Sequence, residues 1–306
     1  MLSVLFLGTS AARPTVERNV SALMVVREGE SLLFDCGEGT QRQMMRYGAS
    51  FAFEDVFFTH FHTDHFLGLI GLIRTLGLQG REEPMRLHGP KGAKRVLTAA
   101  LGLGVERGGF AVDIIELEPG QVLARKDYAL RVFAVEHGGG AIGYALVEQD
   151  RLGRFNREKA IELGVPEGPL WGQLQRGRSV TLTDGSTVDP EAIVGSPRPG
   201  RKLVLTGDTR PCAATIEAAQ GADLLIHEAT FGEEEAERAL ETQHATAKEA
   251  AQVAKMAGVR RLVLTHLSAR YSRDPGPLLD EAQAVFPETA VARDGMVVEI
   301  PYPMEP

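Results

Sequence analysis

The segment Thr59-His60-Phe61-His62-Thr63-Asp64-His65 constrains the fold more than any other stretch. It packs three imidazoles and one carboxylate into six residues. Before it lies Val56 to Thr59, which reads as a buried strand. After it Phe66, Leu67, Ile70, Ile73 and Leu76 recur at helical spacing. The polar side chains therefore sit on a strand-to-helix turn, where open α/β sheets place their chemistry. His60 and His62, two apart on extended backbone, face one side and can grip one ion. Asp64 and His65, displaced by the turn, can reach a second. Neutral imidazole and carboxylate are the ligands zinc takes when one position stays open for water. Without a metal, three clustered imidazoles would repel on protonation.

The same plan recurs along the chain. Leu32–Phe34 ends in Asp35, Leu130–Val135 in Glu136 and His137, and Leu203–Thr206 in Gly207 and Asp208. Leu224–Ile226 leads to His227 and Glu228, and Leu262–Thr265 to His266. Apolar strands with polar ends, interleaved with helical patterns, indicate an α/β layer structure with the site along one rim. Helix ends are also legible. Thr246-Ala-Lys-Glu249 is a capping box, and Gly258 stops the helix it opens. Thr209-Arg210-Pro211 is expected to cap the helix over Ala213–Ala219.

Seven side chains then form the candidate metal set: His60, His62, His65, His137 and His266, with Asp64 and Asp208. Seven ligands exceed what one zinc takes and suit two. The expected division is His60, His62 and His137 on one ion and Asp64, His65 and His266 on the other, with Asp208 and a hydroxide bridging. Paired metals stabilise both the attacking and the leaving oxygen of an in-line displacement. His88, before a turn, reads as structural. His244 lies just before the capping box and outside the metal set, which makes it a candidate proton donor.

The 306 residues, 43% of them hydrophobic, suffice for a substantial core. Two cysteines imply no disulfide framework and fit a reducing cytosol, so a cytoplasmic location is expected. Met1–Gly8 lacks a basic leader and reads as a first strand. No apolar run approaches the roughly 20 residues of a membrane span. The net charge of −8 excludes a globally basic nucleic-acid surface. Arg151 to Val180 departs from this, with six Arg/Lys against three Glu amid Gly and Pro. It is either a linker or, because Asp208 follows it, an inserted arm able to contact phosphates.

Together these residues resemble the metallo-β-lactamase fold, a four-layer αββα sandwich. The narrower resemblance, over nearly the whole chain, is to ribonuclease Z, the tRNA 3′-processing endonuclease, in its short bacterial form. Gly8-Thr9-Ser10, Pro14-Thr15, Arg18-Asn19, Phe34–Gln41, Gly207–Arg210, His227–Phe231 and His244–Lys248 carry it. The resemblance implies a single domain over 1–306 with residues 151–180 as an inserted flexible basic exosite. It implies two Zn²⁺ per subunit, precursor tRNA as substrate and a homodimer. It makes Asp64 the general base, and Glu228 the partner of His244, which protonates the leaving ribose 3′-oxygen. It gives substrate contacts to Arg18, Asn19, Arg154, Gly168, Pro169, Arg176 and Arg178. The family often has Lys where this chain has Val16, and Gly where it has Thr63. Alternative readings are another hydrolase of this fold acting on small phosphodiesters or thioesters, a non-catalytic tRNA-binding protein, and a metal-independent structural domain. Imidazole and carboxylate accept manganese as well as zinc.

Overall fold

Val4 and Phe6 on the first strand belong to one buried cluster, and Leu5 and Leu7 between them to another. Successive side chains of a strand point to opposite faces, so this alternation requires cover on both sides of the sheet. The structure, a computed structural model, describes residues 1–104, 109–138 and 140–303. Its strands are β1 (Leu2–Gly8), β2 (Ala22–Arg27), β3 (Glu30–Phe34), β4 (Asp55–Phe57), β5 (Met85–Pro90), β6 (Val112–Leu117), β7 (Val122–Ala124) and β8 (Tyr128–Ala134). They continue with β9 (Ile142–Glu148), β10 (Val180–Thr181), β11 (Thr187–Val188), β12 (Lys202–Leu205), β13 (Leu224–Glu228), β14 (Leu262–Thr265), β15 (Thr289–Val291) and β16 (Val297–Glu299). The helices are α1 (Thr40–Tyr47), α2 (Thr63–Phe66), α3 (Gly68–Leu78), α4 (Ala93–Leu101), α5 (Arg157–Glu162) and α6 (Pro169–Gln175). The last four are α7 (Ala213–Ala219), α8 (Ala236–Glu241), α9 (Ala247–Ala257) and α10 (Gly276–Gln283).

The chain divides into two units, one of Met1–Val147 with Lys202–Pro301, the other of Glu148–Arg201 with Tyr302. The first holds two seven-stranded sheets, ordered β16-β1-β2-β3-β4-β5-β6 and β15-β14-β13-β12-β9-β8-β7. Both are mixed. β3 to β6 run parallel, as do β12 to β15, while β16 with β1, β1 with β2, β2 with β3, β9 with β12 and β7 with β8 pair antiparallel. Phe6, Phe34, Phe57, Tyr144, Leu203 and Ile226 fill the space between the sheets. Met44 of α1, Leu69, Leu72 and Leu76 of α3 and Leu97 of α4 cover the first sheet's outer face. Ala250 and Ala254 of α9, Ala219 of α7 and Leu278 of α10 cover the second. Those three buried clusters separate four layers, the expected αββα order. Fully burying one such Leu or Phe contributes about 1.5–3 kcal/mol.

Of three local expectations, one is met and two are refined. α9 begins at the Thr246 capping box, with both reciprocal bonds formed, and ends at Gly258 with φ +61°. α7 instead has Cys212 as its N-cap, because the Thr209 hydroxyl bonds the Arg210 carbonyl and Glu136 N–H. The run after His65 is two helices. α3 buries Leu69, Leu72, Ile73 and Leu76 rather than a face through Leu67, which is 40% exposed. The rotation follows from a close crossing: a Cβ on Gly68 would lie 1.9 Å from the Gly37 carbonyl oxygen. Backbone contact there pins the metal turn against the end of β3.

The second unit, taken by itself, extends beyond the expected 151–180. Its helices α5 and α6 and the β10–β11 hairpin enclose Ala160, Val165, Leu174, Val180, Val188 and Ile193. Phe155 and Trp171 add a ring contact at 5.2 Å. Asn156 caps α5, and Gly168 at φ +144° precedes Pro169, the first residue of α6. Buried Arg201 makes a two-point ion pair with Glu148. Eight Arg/Lys in Glu148–Arg201 are offset by eight Asp/Glu, so the basic excess is confined to 151–180. Among the described residues, no helix is long and apolar enough to cross a membrane.

Candidate metal centre

Each candidate ligand comes from the carboxyl end of a strand or the turn after it. β4 delivers His60, then His62, the N-cap of α2, whose first turn carries Asp64 and His65. His137 follows β8, Asp208 follows β12 and His266 follows β14. Asp208 Oδ2 is the common point. It lies 3.5 Å from His60 Nε2, 3.4 Å from His65 Nε2, 3.9 Å from His137 Nε2 and 3.3 Å from His266 Nε2. Asp64 Oδ2 lies 3.6 Å from His65 Nε2 and 3.4 Å from His266 Nε2. His137 Nε2 and His62 Nδ1 are 3.2 Å apart.

These spacings suit a shared cation. Ligands about 2.0–2.1 Å from a tetrahedral metal stand roughly 3.3 Å from one another. The donors fall into groups that a single ion each could satisfy: His60, His62, His137 and Asp208; Asp64, His65 and His266; and Asp208, His244 and His266. Among the described residues His60 Nε2 is buried without a hydrogen-bond partner, as a ligand atom facing an ion would be. The donor set therefore fits a metal centre.

The outer ring nitrogens are held by a surrounding shell. Asp35 Oδ2 is 2.7 Å from His65 Nδ1 and also accepts from the Thr59 hydroxyl. Thr59 Oγ1 is 3.1 Å from His60 Nδ1. The Gln243 carbonyl lies 2.8 Å from His137 Nδ1, and Thr230 Oγ1 lies 3.0 Å from His266 Nδ1. Such partners fix the tautomer and aim Nε2 inward. Asp35 and His266 both adopt positive φ, +54° and +55°, which costs non-glycine residues about 1–2 kcal/mol each. The strain turns both side chains off the strand ends into the centre. Gly207 at φ +64° sits against Thr59, where a Cβ would meet the Thr59 Cβ at 2.7 Å.

The electrostatics match ligation. Burial, with the charge of His65, depresses His60; burial with His137 depresses His62. Burial works to raise Asp64 and Asp208, but the surrounding imidazoles hold both below the ordinary carboxylate range. Against the effect of burial, Asp208 and Asp35 push His65 well above the usual imidazole value. The centre thus supplies neutral imidazoles at His60 and His62, ionised carboxylates at Asp64 and Asp208 and a strong pull for positive charge at His65, conditions that metal binding needs.

Beside the centre, His244 Nδ1 lies 2.7 Å from Glu228 Oε1. Glu228 is buried at the end of β13 and also accepts from Thr209 N–H and the Thr230 N–H and hydroxyl. Burial opposes charge on His244, but Glu228 outweighs it and raises the imidazole to about 9. A cavity of about 460 Å³ opens over His62, Asp64, Asp208, His244 and His266 and reaches Arg13, Phe231 and Arg238.

The model for the anti-Pycsar protein Apyc1 matches residues 2–152, and that for the beta-lactamase superfamily domain matches 176–267. A ribonuclease Z from Gemmatimonas aurantiaca is 59% identical over 98% of this chain and 96% of its own length. One from Haloferax volcanii is 55% identical over 97% and 94%. The chain belongs to the ribonuclease Z family. The crystal structure of human tRNase Z, short form, is similar at a TM-score of 0.71 and 29% identity, covering 98% of this chain and 99% of that one. The metallo-beta-lactamase fold protein YhfI from Bacillus subtilis, at TM-score 0.70 and 21% identity over 97% and 98%, bears on the fold alone.

For a ribonuclease Z family chain, the structure gathers all seven expected ligands with His244 and Glu228. It does not bring Arg18 and Asn19 to the cavity as substrate contacts. Arg18 is 6% exposed, its guanidinium bonding Thr9 Oγ1 and the carbonyls of Ala292 and Ser272. Asn19 bonds Asp294 through its N–H and Glu38 through its side chain. These two residues shape the loop whose Ala12 N–H donates to Asp64 Oδ2 at 2.7 Å. Arg154, Arg176, Arg178, Gly168 and Pro169 lie in the second unit, and the three arginines are exposed. Val16 is 92% exposed, and Thr63 opens α2. His88 is structural: its Nε2 lies 2.7 Å from buried Asp55. Asp35, Thr230 and Gln243 were missed as ring-holding residues. The only sequence signal was that Asp35, like the ligands, ends an apolar strand.

Proposed function

We propose that this chain is a zinc-dependent endoribonuclease that cleaves precursor tRNA at its 3′ side. The observation that carries the reading is the convergence on Asp208 Oδ2 of four imidazoles beside an acid held by a buried carboxylate. His60, His62 and His137 would hold one zinc, Asp64, His65 and His266 the other, with Asp208 common to both. When bound, the ions would supply a water of pKa near 7 and an electrophilic grip on the scissile phosphate.

The protein's own groups do the rest. Asp64 is the general base, its Oδ2 fixed by the Ala12 N–H. Water adds at phosphorus as the bond to the ribose 3′-oxygen breaks. Glu228 holds Nδ1 of a protonated His244, leaving Nε2 to give its proton to that departing oxygen. The tRNA keeps a 3′-hydroxyl and the trailer a 5′-phosphate. The second unit, through Arg154, Arg176, Arg178 and the Gly168-Pro169 turn, grips the tRNA. The enzyme works as a cytoplasmic homodimer, each protomer's exosite presenting tRNA to its partner. Purified protein incubated with a precursor tRNA, with both product ends mapped, tests the reading. It predicts a single cut with those ends; an uncut precursor in the presence of zinc would overturn it.

A further inference from the structure

The cavity wall beyond His244 is not accounted for by the chemistry. It is formed by Phe231, Arg238 and Thr242. The Arg238 guanidinium carbon lies 5.8 Å from the centre of the Phe231 ring, within cation–π range. The Phe231 ring is 6.2 Å from His244, edge to face. The wall is fixed relative to the centre. The Phe231 carbonyl accepts from Ala247 N–H, and the Arg238 carbonyl accepts from the Thr242 hydroxyl. One residue on, the Gln243 carbonyl holds His137. Arg238 is exposed, and among the described residues no carboxylate pairs with its guanidinium. Arg270, also on the cavity, is paired with Glu235.

Resting on the proposed function, we infer that Arg238, backed by Phe231, is the platform for the base of the last nucleotide the tRNA retains. The direction follows from the proton. His244 protonates the oxygen that stays on the tRNA, so the retained nucleotide's ribose lies against His244. Its base then extends toward the next side chains on that wall, Phe231 and Arg238. Arg13 belongs to the loop that touches Asp64 and faces the trailer. Guanidinium planes and aromatic rings are the surfaces on which unpaired RNA bases stack. Such a platform tolerates any base, as an enzyme serving many tRNAs requires.

The test pairs a protein change with a substrate change. Arg238→Ala, at an exposed position that does not carry the fold, is compared with the intact chain on three precursors. One is unmodified, one is abasic at the last retained nucleotide, and one is abasic at the first trailer nucleotide. The variant should lose about tenfold in kcat/KM on the unmodified precursor. Loss of the retained base should cost the intact chain a similar factor and the variant almost nothing more. Loss of the trailer base should cost both equally. Independent, multiplying losses at the retained base, or coupling to the trailer base instead, would overturn the assignment, as would an unaffected variant. Failure of the intact chain to cut any precursor would sink the underlying function instead.

Discussion

Asp35 Oδ2 and His65 Nδ1 stand 2.7 Å apart, both buried, with Asp35 at φ +54°. The carboxylate orients a ring whose other nitrogen faces the metal centre. Asn tolerates left-handed backbone, so Asp35→Asn removes the charge while preserving the conformation. Zinc affinity should fall about 10–100-fold, read by competition with a chelator. An unchanged affinity would remove Asp35 from the account.

Glu228 reaches His244 but is not in the ligand groups. Glu228→Gln should therefore lower kcat about 10²-fold while zinc content stays at the level of the unsubstituted chain. Single-turnover cleavage and metal analysis on the same preparation read both quantities. Loss of zinc along with activity would mean that Glu228 supports the metals rather than the acid.

Much of this centre was legible in the sequence because ligation needs particular residue types at strand ends, and residue type is what a sequence displays. His60, His62, Asp64 and His65 were close enough to be read as one turn, and Asp208 and His266 each closed an apolar run. Burial is not displayed. Arg18 reads as a phosphate contact until its guanidinium is found enclosed by Thr9, Ala292 and Ser272. Thr230 and the Gln243 carbonyl hold ligands through common groups that mark no position as special. The rotation of α3 was hidden because its run is apolar nearly all round, and the Gly68–Gly37 crossing decides the face. The second unit's small core was obscured by the Gly, Pro and charge that surround it.

Asp55 tests the scaffold away from the metals. It is buried and bonded to Arg86, His88 and Arg125. Burial acts to raise its carboxyl, but Arg86 and His88 hold it below the ordinary range. A depressed folded value gives stability that is present above the unfolded value near 3.9 and is lost as pH falls through the folded one. Asp55→Asn should cost about 2 kcal/mol at pH 7, discounted for the partly exposed Arg86. That difference from the unsubstituted chain should shrink below pH 4, seen as converging Tm values in thermal scans. A constant gap at all pH values would contradict the charge assignment.

For the second unit, Arg176 and Arg178 are exposed just past α6. Replacing both by Ala should weaken precursor tRNA binding and flatten its salt dependence by about one to two units of log–log slope. Filter binding across a salt series measures this, and an unaltered slope would place the tRNA elsewhere.

Metal stoichiometry bears most directly on the central claim. Asp208 Oδ2 lies 3.5 Å from His60 of one ligand set and 3.4 and 3.3 Å from His65 and His266 of the other, so its loss should disturb both ions. Zinc measured by mass spectrometry after dialysis against zinc-buffered solution should give two ions per unsubstituted chain and fewer than one per Asp208→Ala chain. One ion or none in the unsubstituted chain, or two retained by the variant, would contradict a binuclear centre joined at Asp208.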